Sequence, residues 1–281
     1  MKFGYFCNTT NWTHKPYHKL LDETKQITEY CDQNDWNSIW FTEHHFNHEG
    51  MESCTNPLML GADAAARTKN IRIGQAANVI TFHNPIRLAE DIATLDQLSK
   101  GRVEVGVARG VYGREAINLN KEADLKDQAK NFRLFAETLE ILKKAWSEKF
   151  FNHDGEFYTY PSPNYVWQHD MSPPSEEFMN MEDSTMKKIS VLPKPYQNPH
   201  PPIHQVVDGI RSIEWAAENN INVIMWIPTV KALKIRFEAY KNKRSEVTKK
   251  NVPLGKGVTL VRDMFVADTM EEAKEMAGEH M

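Results

Sequence analysis

The chain has 281 residues, with 41% hydrophobic and 26% charged side chains and a formal net charge of −4, the composition of a soluble globular protein. The mild negative charge and the lack of any Lys/Arg run argue against a general nucleic-acid binder, and no apolar run approaches the roughly 18 residues of a membrane span. No charged-then-apolar leader opens the sequence, and Cys7, Cys31 and Cys54 follow no metal or disulfide spacing, so reduced thiols in a cytoplasmic protein are expected.

Residues 2–7 enter a strand-like run at once, and 17–36 carry Leu20, Leu21, Ile27, Tyr30 and Cys31 on a loosely helical stripe. An apolar, β-prone stretch at 38–42 then stacks a carboxylate and two imidazoles at its end, Glu43-His44-His45, before a loop to residue 55. Asn56-Pro57 and Asn84-Pro85 each offer a cap and a first-turn proline, predicting helices on either side of a strand at 71–80. Gly101 stops the second of these helices. Residues 103–108 form a fourth strand running into Arg109-Gly110. A polar loop then leads to a helix through Phe132, Phe135, Leu139, Leu142 and Trp146, on which Asp127, Glu137 and Glu140 read as solvated faces.

Strict strand–helix alternation means a parallel sheet with covering helices. The pattern breaks from about 150 to 202, a Pro-, Tyr-, Asn- and Met-rich excursion with a hairpin-like start around Asp154-Gly155. Alternation resumes with strands at 203–207, 222–227 and 256–267 and helices at 212–219 and 230–247, and Thr269 opens a last helix. That makes seven strands and no eighth. In a parallel barrel the strand C-terminal ends share one face, so the candidates for chemistry are Cys7-Asn8, Glu43-His44-His45, Ala76-Ala77-Asn78, Arg109-Gly110, Asp208-Gly209 and Trp226. Arg109 offers a guanidinium beside a flexible glycine for an anion, or else a structural salt bridge. Asp208-Gly209-Ile210-Arg211-Ser212 offers free amides and a hydroxyl at a helix start, with a plain cap at Ser212 as the alternative.

The segments Trp40-Phe41-Thr42-Glu43-His44-His45-Phe46, Gly74-Gln75-Ala76-Ala77, Pro85-Ile86-Arg87-Leu88-Ala89-Glu90-Asp91, Leu95 to Arg102 and Gly106-Val107-Ala108-Arg109-Gly110, in that order, resemble the bacterial luciferase-like, flavin-dependent monooxygenases. The resemblance runs from residue 1 to about 270. It implies a single TIM-like (β/α)8 barrel domain over 1–281, here without its eighth strand–helix unit, that holds reduced flavin mononucleotide (FMN) at the strand ends. It also implies reaction with O2 to a flavin hydroperoxide that oxygenates a small organic substrate. His44 matches the family's active-site histidine, and Glu43 and His45 match its neighbours. Ala76-Ala77 matches the place of a non-prolyl cis peptide against the flavin, with Asn78 next to it. Arg109 matches the phosphate-binding arginine, and Asp208, Gly209 and Ser212 match a second phosphate-binding turn. A flavin reductase partner and a dimer are implied in the same way, and the 150–202 excursion is expected to cover the pocket.

Departures from the family pattern narrow the reading. Ala108 stands where light-emitting members carry a cysteine, Asn84 stands where many carry histidine, and the 161–188 insertion is long for the family. Two other functions fit the fold: a deazaflavin-dependent hydride-transfer enzyme and a flavin-binding protein without turnover. A metal hydrolase is suggested by the clustering of His44, His45 and His48. The first strand, however, ends Phe6-Cys7-Asn8, without the His-x-His pair that barrel hydrolases place there, so no metal is expected.

Overall fold

Both Asn-Pro pairs start helices as their chemistry predicts. The Asn56 side chain accepts the Met59 amide at 2.9 Å and opens α2 (Pro57–Arg67); the Asn84 side chain accepts those of Ile86 and Arg87 and opens α3 (Pro85–Ser99). They belong to a computed structural model that describes residues 1–226 and 229–278. The chain divides into two compact units, Met1–Ile203 and His204–Met281.

The first unit is built on parallel strands β1 (Gly4–Cys7), β2 (Ser38–Phe41), β3 (Arg72–Gln75), β4 (Asn78–Val79) and β5 (Val103–Ala108), paired β1–β2–β3–β5 with β4 also on β5. Cys7 lies opposite Phe41, and Phe41 opposite Gln75, so the loops leaving the first three strands start at one level. Ile39, Phe41, Ile73, Val103, Val105 and Val107 are fully buried beneath α2, α3 and α5 (Gln128–Ser147), and α1 (Tyr17–Gln33) precedes β2. The Trp146 indole of α5 donates to the Ala89 carbonyl of α3 at 3.0 Å, fixing one helix on the other.

Two elements differ from the sequence expectation. The strand expected at 71–80 is two strands, parted at Ala76-Ala77. The polar loop after β5 contains a seven-residue helix, α4 (Gly113–Leu119), too short and too polar for periodicity to show.

The N-terminal ends of β3 and β5 are tied by charged groups. All five N–H groups of Arg102 are used, on the carbonyls of Ala65, Thr68, Ile71 and Ser99 and on the Thr68 hydroxyl, closing the C-terminal turn of α2. Gln197 of the excursion gives its backbone N–H and one side-chain N–H to the fully buried Asp96, bonds the Val103 carbonyl, and accepts from Arg72 at 3.2 Å. The Lys194 ammonium reaches the Ala145 carbonyl at the end of α5 at 2.8 Å. The excursion's end is thus fastened at the N-terminal ends of β3 and β5.

Its start is the expected hairpin, β6 (His153–Asp154) against β7 (Thr159–Tyr160). Glu137 of α5 holds the turn: it accepts the amides of Glu156, Phe157 and Tyr158 and the imidazole of His153. Glu137 is therefore a half-buried clasp rather than a solvated face. Asp127 caps α5 through the Lys130 amide at 2.9 Å, and Glu140 stays exposed, paired with Lys144.

The second unit carries parallel strands β8 (Ile203–Val206), β9 (Asn222–Trp226) and β10 (Val258–Val261), with α6 (Ile210–Glu218), α7 (Val230–Thr248) and α8 (Met270–Ala277). The Tyr240 hydroxyl of α7 donates to the Ile221 carbonyl at 3.0 Å, and Arg244 bonds the Ala217 carbonyl, locking α7 to α6. The strand expected at 222–227 holds through Trp226, and Ile227 lies outside the described residues. The run expected at 256–267 pairs only over Val258–Val261, beyond which Met264, Phe265 and Val266 are exposed. No eighth strand–helix unit occurs among the described residues.

Candidate active site

The site begins where β2 ends. Glu43, 2% exposed, collects three donors. Its Oε2 accepts the Val79 amide at 2.7 Å, and its Oε1 accepts from Nε2 of His45 at 3.0 Å and Nε2 of His83 at 2.8 Å. A carboxylate only accepts, so both imidazoles present Nε2–H to it. Burial pushes the Glu43 carboxyl up, but the bonds from His45 and His83, the His83 charge and the Val79 amide outweigh burial and hold it below the usual range. Burial lowers His83, yet the bond to Glu43 and its charge leave that imidazole above its ordinary value. Glu43 thus anchors two imidazole rings and a backbone amide.

His44 points into a different environment. Its amide donates to the Cys54 carbonyl at 2.8 Å. Its ring lies 5.5 Å from that of Tyr112, with Nε2 3.4 Å from a Glu52 oxygen and Nδ1 3.5 Å from a Glu115 oxygen. The His45 amide donates to the same Glu115 oxygen at 2.6 Å. His48 is exposed and pairs with Glu49, apart from the two neighbouring imidazoles.

Beside this loop the Ala76–Ala77 peptide is cis, at the position the resemblance implied. The Ala76 amide donates to the Phe41 carbonyl at 2.7 Å. The Asn78 side-chain amide spans the bend, donating to Gln75 at 3.2 Å and to the Gly106 carbonyl at 3.1 Å. A Cβ on Gly106 would strike the Gln75 carbonyl, so only glycine lets β5 pass this close.

Arg109 leaves β5 next to Gly110, whose φ of +89° needs glycine and whose missing Cβ makes room for the Phe82 ring. The guanidinium is half-buried against the Phe132 ring and bonds only neutral acceptors, the nearest being the Gln128 side-chain oxygen at 3.2 Å. Among the described residues it pairs with no carboxylate, and burial pushes its pKa down with nothing opposing. In the second unit, Gly209 caps α6 and accepts the amides of Ser212 and Ile213. Ser212 is thus the third helical residue rather than the cap. The Asp208 carboxylate is 92% exposed and is held by Arg236 of α7 at 2.7 Å, so an anion would meet the turn through its amides.

The structure therefore gathers Glu43, His44, His45, Ala76, Ala77, Asn78 and Arg109 at the C-terminal ends of one unit's strands. The family model for luciferase-like monooxygenases matches residues 1–281. The chain belongs to this family. The luciferase-like relatives include the oxygenase component of a flavin-dependent trigonelline monooxygenase from Acinetobacter baylyi, 27% identical over 99% of this chain and 69% of its own length. The alkanal monooxygenase alpha chain of Photorhabdus luminescens is 27% identical over 88% of this chain, which spans 59% of that relative. Among solved structures, the FMN-bound oxygenating constituent of 3,6-diketocamphane monooxygenase from Pseudomonas putida aligns with a TM-score of 0.80 at 22% identity, covering 99% of this chain and 71% of that one. That likeness shows the fold, the TIM-like α/β barrel of luciferase-like enzymes.

The residues present fit an anionic flavin. An arginine free of carboxylates, a backbone shelf at Ala76-Ala77 that only Gly106 permits, and buried polar atoms left over at Gln75 Nε2 and Thr42 Oγ1 make a cradle with unspent hydrogen-bonding capacity. Sequence reasoning missed Glu52, Glu115, Tyr112 and the anchoring bond of His83. A carboxylate inside a polar stretch looks like a surface residue, and nothing in residues 113–119 marked a helix that buries Glu115 completely.

Proposed function

We propose that this chain is a luciferase-like monooxygenase that takes reduced FMN and O2 and oxygenates a small organic substrate. The carrying observation is the half-buried Arg109 guanidinium, held by neutral acceptors alone on the strand-end face where the His44 loop stands. Arg109 would hold the cofactor phosphate and the Ala76-Ala77 shelf would support its ring; in the second unit, the amides and Ser212 hydroxyl of the Asp208–Gly209 turn are proposed by themselves as a phosphate-binding turn. The bound cofactor supplies the oxygen chemistry. His44, half-buried beside two carboxylates, takes or returns a proton at a ring nitrogen. Glu43 and His45 keep the loop in place.

That the trigonelline relative is the oxygenase component of its monooxygenase supports a separate flavin reductase as the source of reduced FMN. A dimer, a cytoplasmic location and a single domain over 1–281 complete the reading. Among the described residues no helix is long and apolar enough to cross a membrane. The test is an anaerobic titration with reduced FMN, followed by O2 isotope incorporation into candidate substrates. Wild type is expected to bind, and Arg109→Ala to bind at least about tenfold more weakly, as loss of a charge-assisted contact dictates. Failure to bind reduced FMN, with binding of a reduced deazaflavin instead, would replace this reading by hydride transfer. Tight binding without oxygen incorporation would leave a flavin carrier.

A further inference from the structure

The mechanism outlined above leaves two buried carboxylates unused. Glu115 is 0% exposed on α4, and Glu52 is buried in the loop that follows His45. Burying an unmatched carboxylate costs several kcal/mol, so each needs a partner. Arg114, adjacent in sequence, is taken by Glu49 at 2.6 Å. What the two acids share is the His44 imidazole, with Glu52 facing Nε2 and Glu115 facing Nδ1. The second oxygen of each acid and His44 Nδ1 itself are buried without an aligned hydrogen bond. Tyr112 closes the remaining side. Its hydroxyl is pushed up to about 12 by burial, by its bond to Glu52 and by the charges of Glu52 and Glu115. Glu115 also takes the His45 amide, so one carboxylate sets both the backbone of the loop and the ring it carries.

We propose that Glu52 and Glu115 are positioning residues for His44, their two carboxylates flanking the ring on its Nε2 and Nδ1 sides and limiting how it turns. A role in turnover rests on the monooxygenase reading; the positioning itself does not. The test uses the full chain, labelled with 15N at histidine and free of flavin, with His44 signals identified by their loss in His44→Gln. Glu115→Gln and Glu52→Gln keep shape and remove the charge. Each is expected to speed solvent exchange of the His44 ring N–H by at least about tenfold while the melting temperature changes little, because an amide carries no charge to hold the ring nitrogen beside it. With reduced FMN, kcat should fall in both variants at unchanged KM for the flavin. Ring signals of His44 identical to wild type in both variants would overturn the proposal, whatever happened to stability. If Glu115→Ala unfolds, the isosteric glutamine variant still decides. Absence of flavin binding would sink the proposed function and leave the ring signals to judge this inference alone.

Discussion

The two ends of the strands in the first unit bury charge in opposite ways. At the N-terminal ends, Arg102 spends all five N–H groups and Asp96 has a donor on each oxygen. At the C-terminal ends, one oxygen of Glu52, one of Glu115, His44 Nδ1, Gln75 Nε2 and Thr42 Oγ1 lie buried with no aligned partner. Complete satisfaction makes a rigid joint, whereas leftover donors and acceptors carry an energetic cost that persists where a ligand or a reaction uses them. The contrast separates framework from site without reference to any relative.

The contrast can be broken by substitution at either end. His44→Gln should lower substrate oxygenation by roughly 10²–10⁴-fold, the usual worth of a proton-transfer group, with an unchanged melting temperature. An unchanged rate would remove His44 from the chemistry. Arg102→Ala strands the carbonyls that end α2 and should cost about 2–4 kcal/mol in urea unfolding while leaving reduced-FMN affinity as it was. A loss below about 0.5 kcal/mol would show that the opposite face is no joint. Gln197→Ala, which cuts the excursion from Asp96 and Val103, should cost about 1–2 kcal/mol by the same measurement.

The smallest effect concerns pH. Glu43 titrates below its ordinary 4.5 when folded, so its contribution is present above that value and lost as pH falls through the lowered one. His83 titrates above 6.5 when folded, so its contribution is complete below 6.5 and lost as pH rises through the raised value. Melting temperature should therefore peak between about 4.5 and 6.5 for this pair. The His83→Gln variant should remove the alkaline limb and shrink the acid one, because the His83 bond and charge help hold Glu43 down. Parallel profiles for wild type and variant would show that the Glu43–His83 bond does not contribute to folding.

What the sequence revealed follows from local chemistry. Asn56-Pro57, Asn84-Pro85 and the apolar run before Glu43 carry their structural meaning within a few residues, and all three hold. Arg109 was legible as a guanidinium at a strand end, but its lack of a carboxylate partner among the described residues was not, because that depends on what α5 presents to it. Glu137 and Glu115 were missed for one reason. Each is an acid on a short or amphipathic helix whose burial comes from a segment distant in sequence, the 156–158 amides for Glu137 and the His44–His45 loop for Glu115. Divided strands such as β3 and β4 also escape a periodicity argument, because residues 71–80 keep their apolar content across the bend.

The Phe151–Ile189 bridge has a practical consequence. Two backbone bonds, 3.0 and 2.9 Å, join these residues, so the chain departs and returns at one point. Whatever lies between them is closed off at its base, and the exposed tip around Gln168, Met171 and Pro174 is free to change length without pulling on the Glu43–His45 loop. This makes the tip a natural grafting port, where a fluorophore, an affinity peptide or a second protein can be spliced in while the candidate site is left alone.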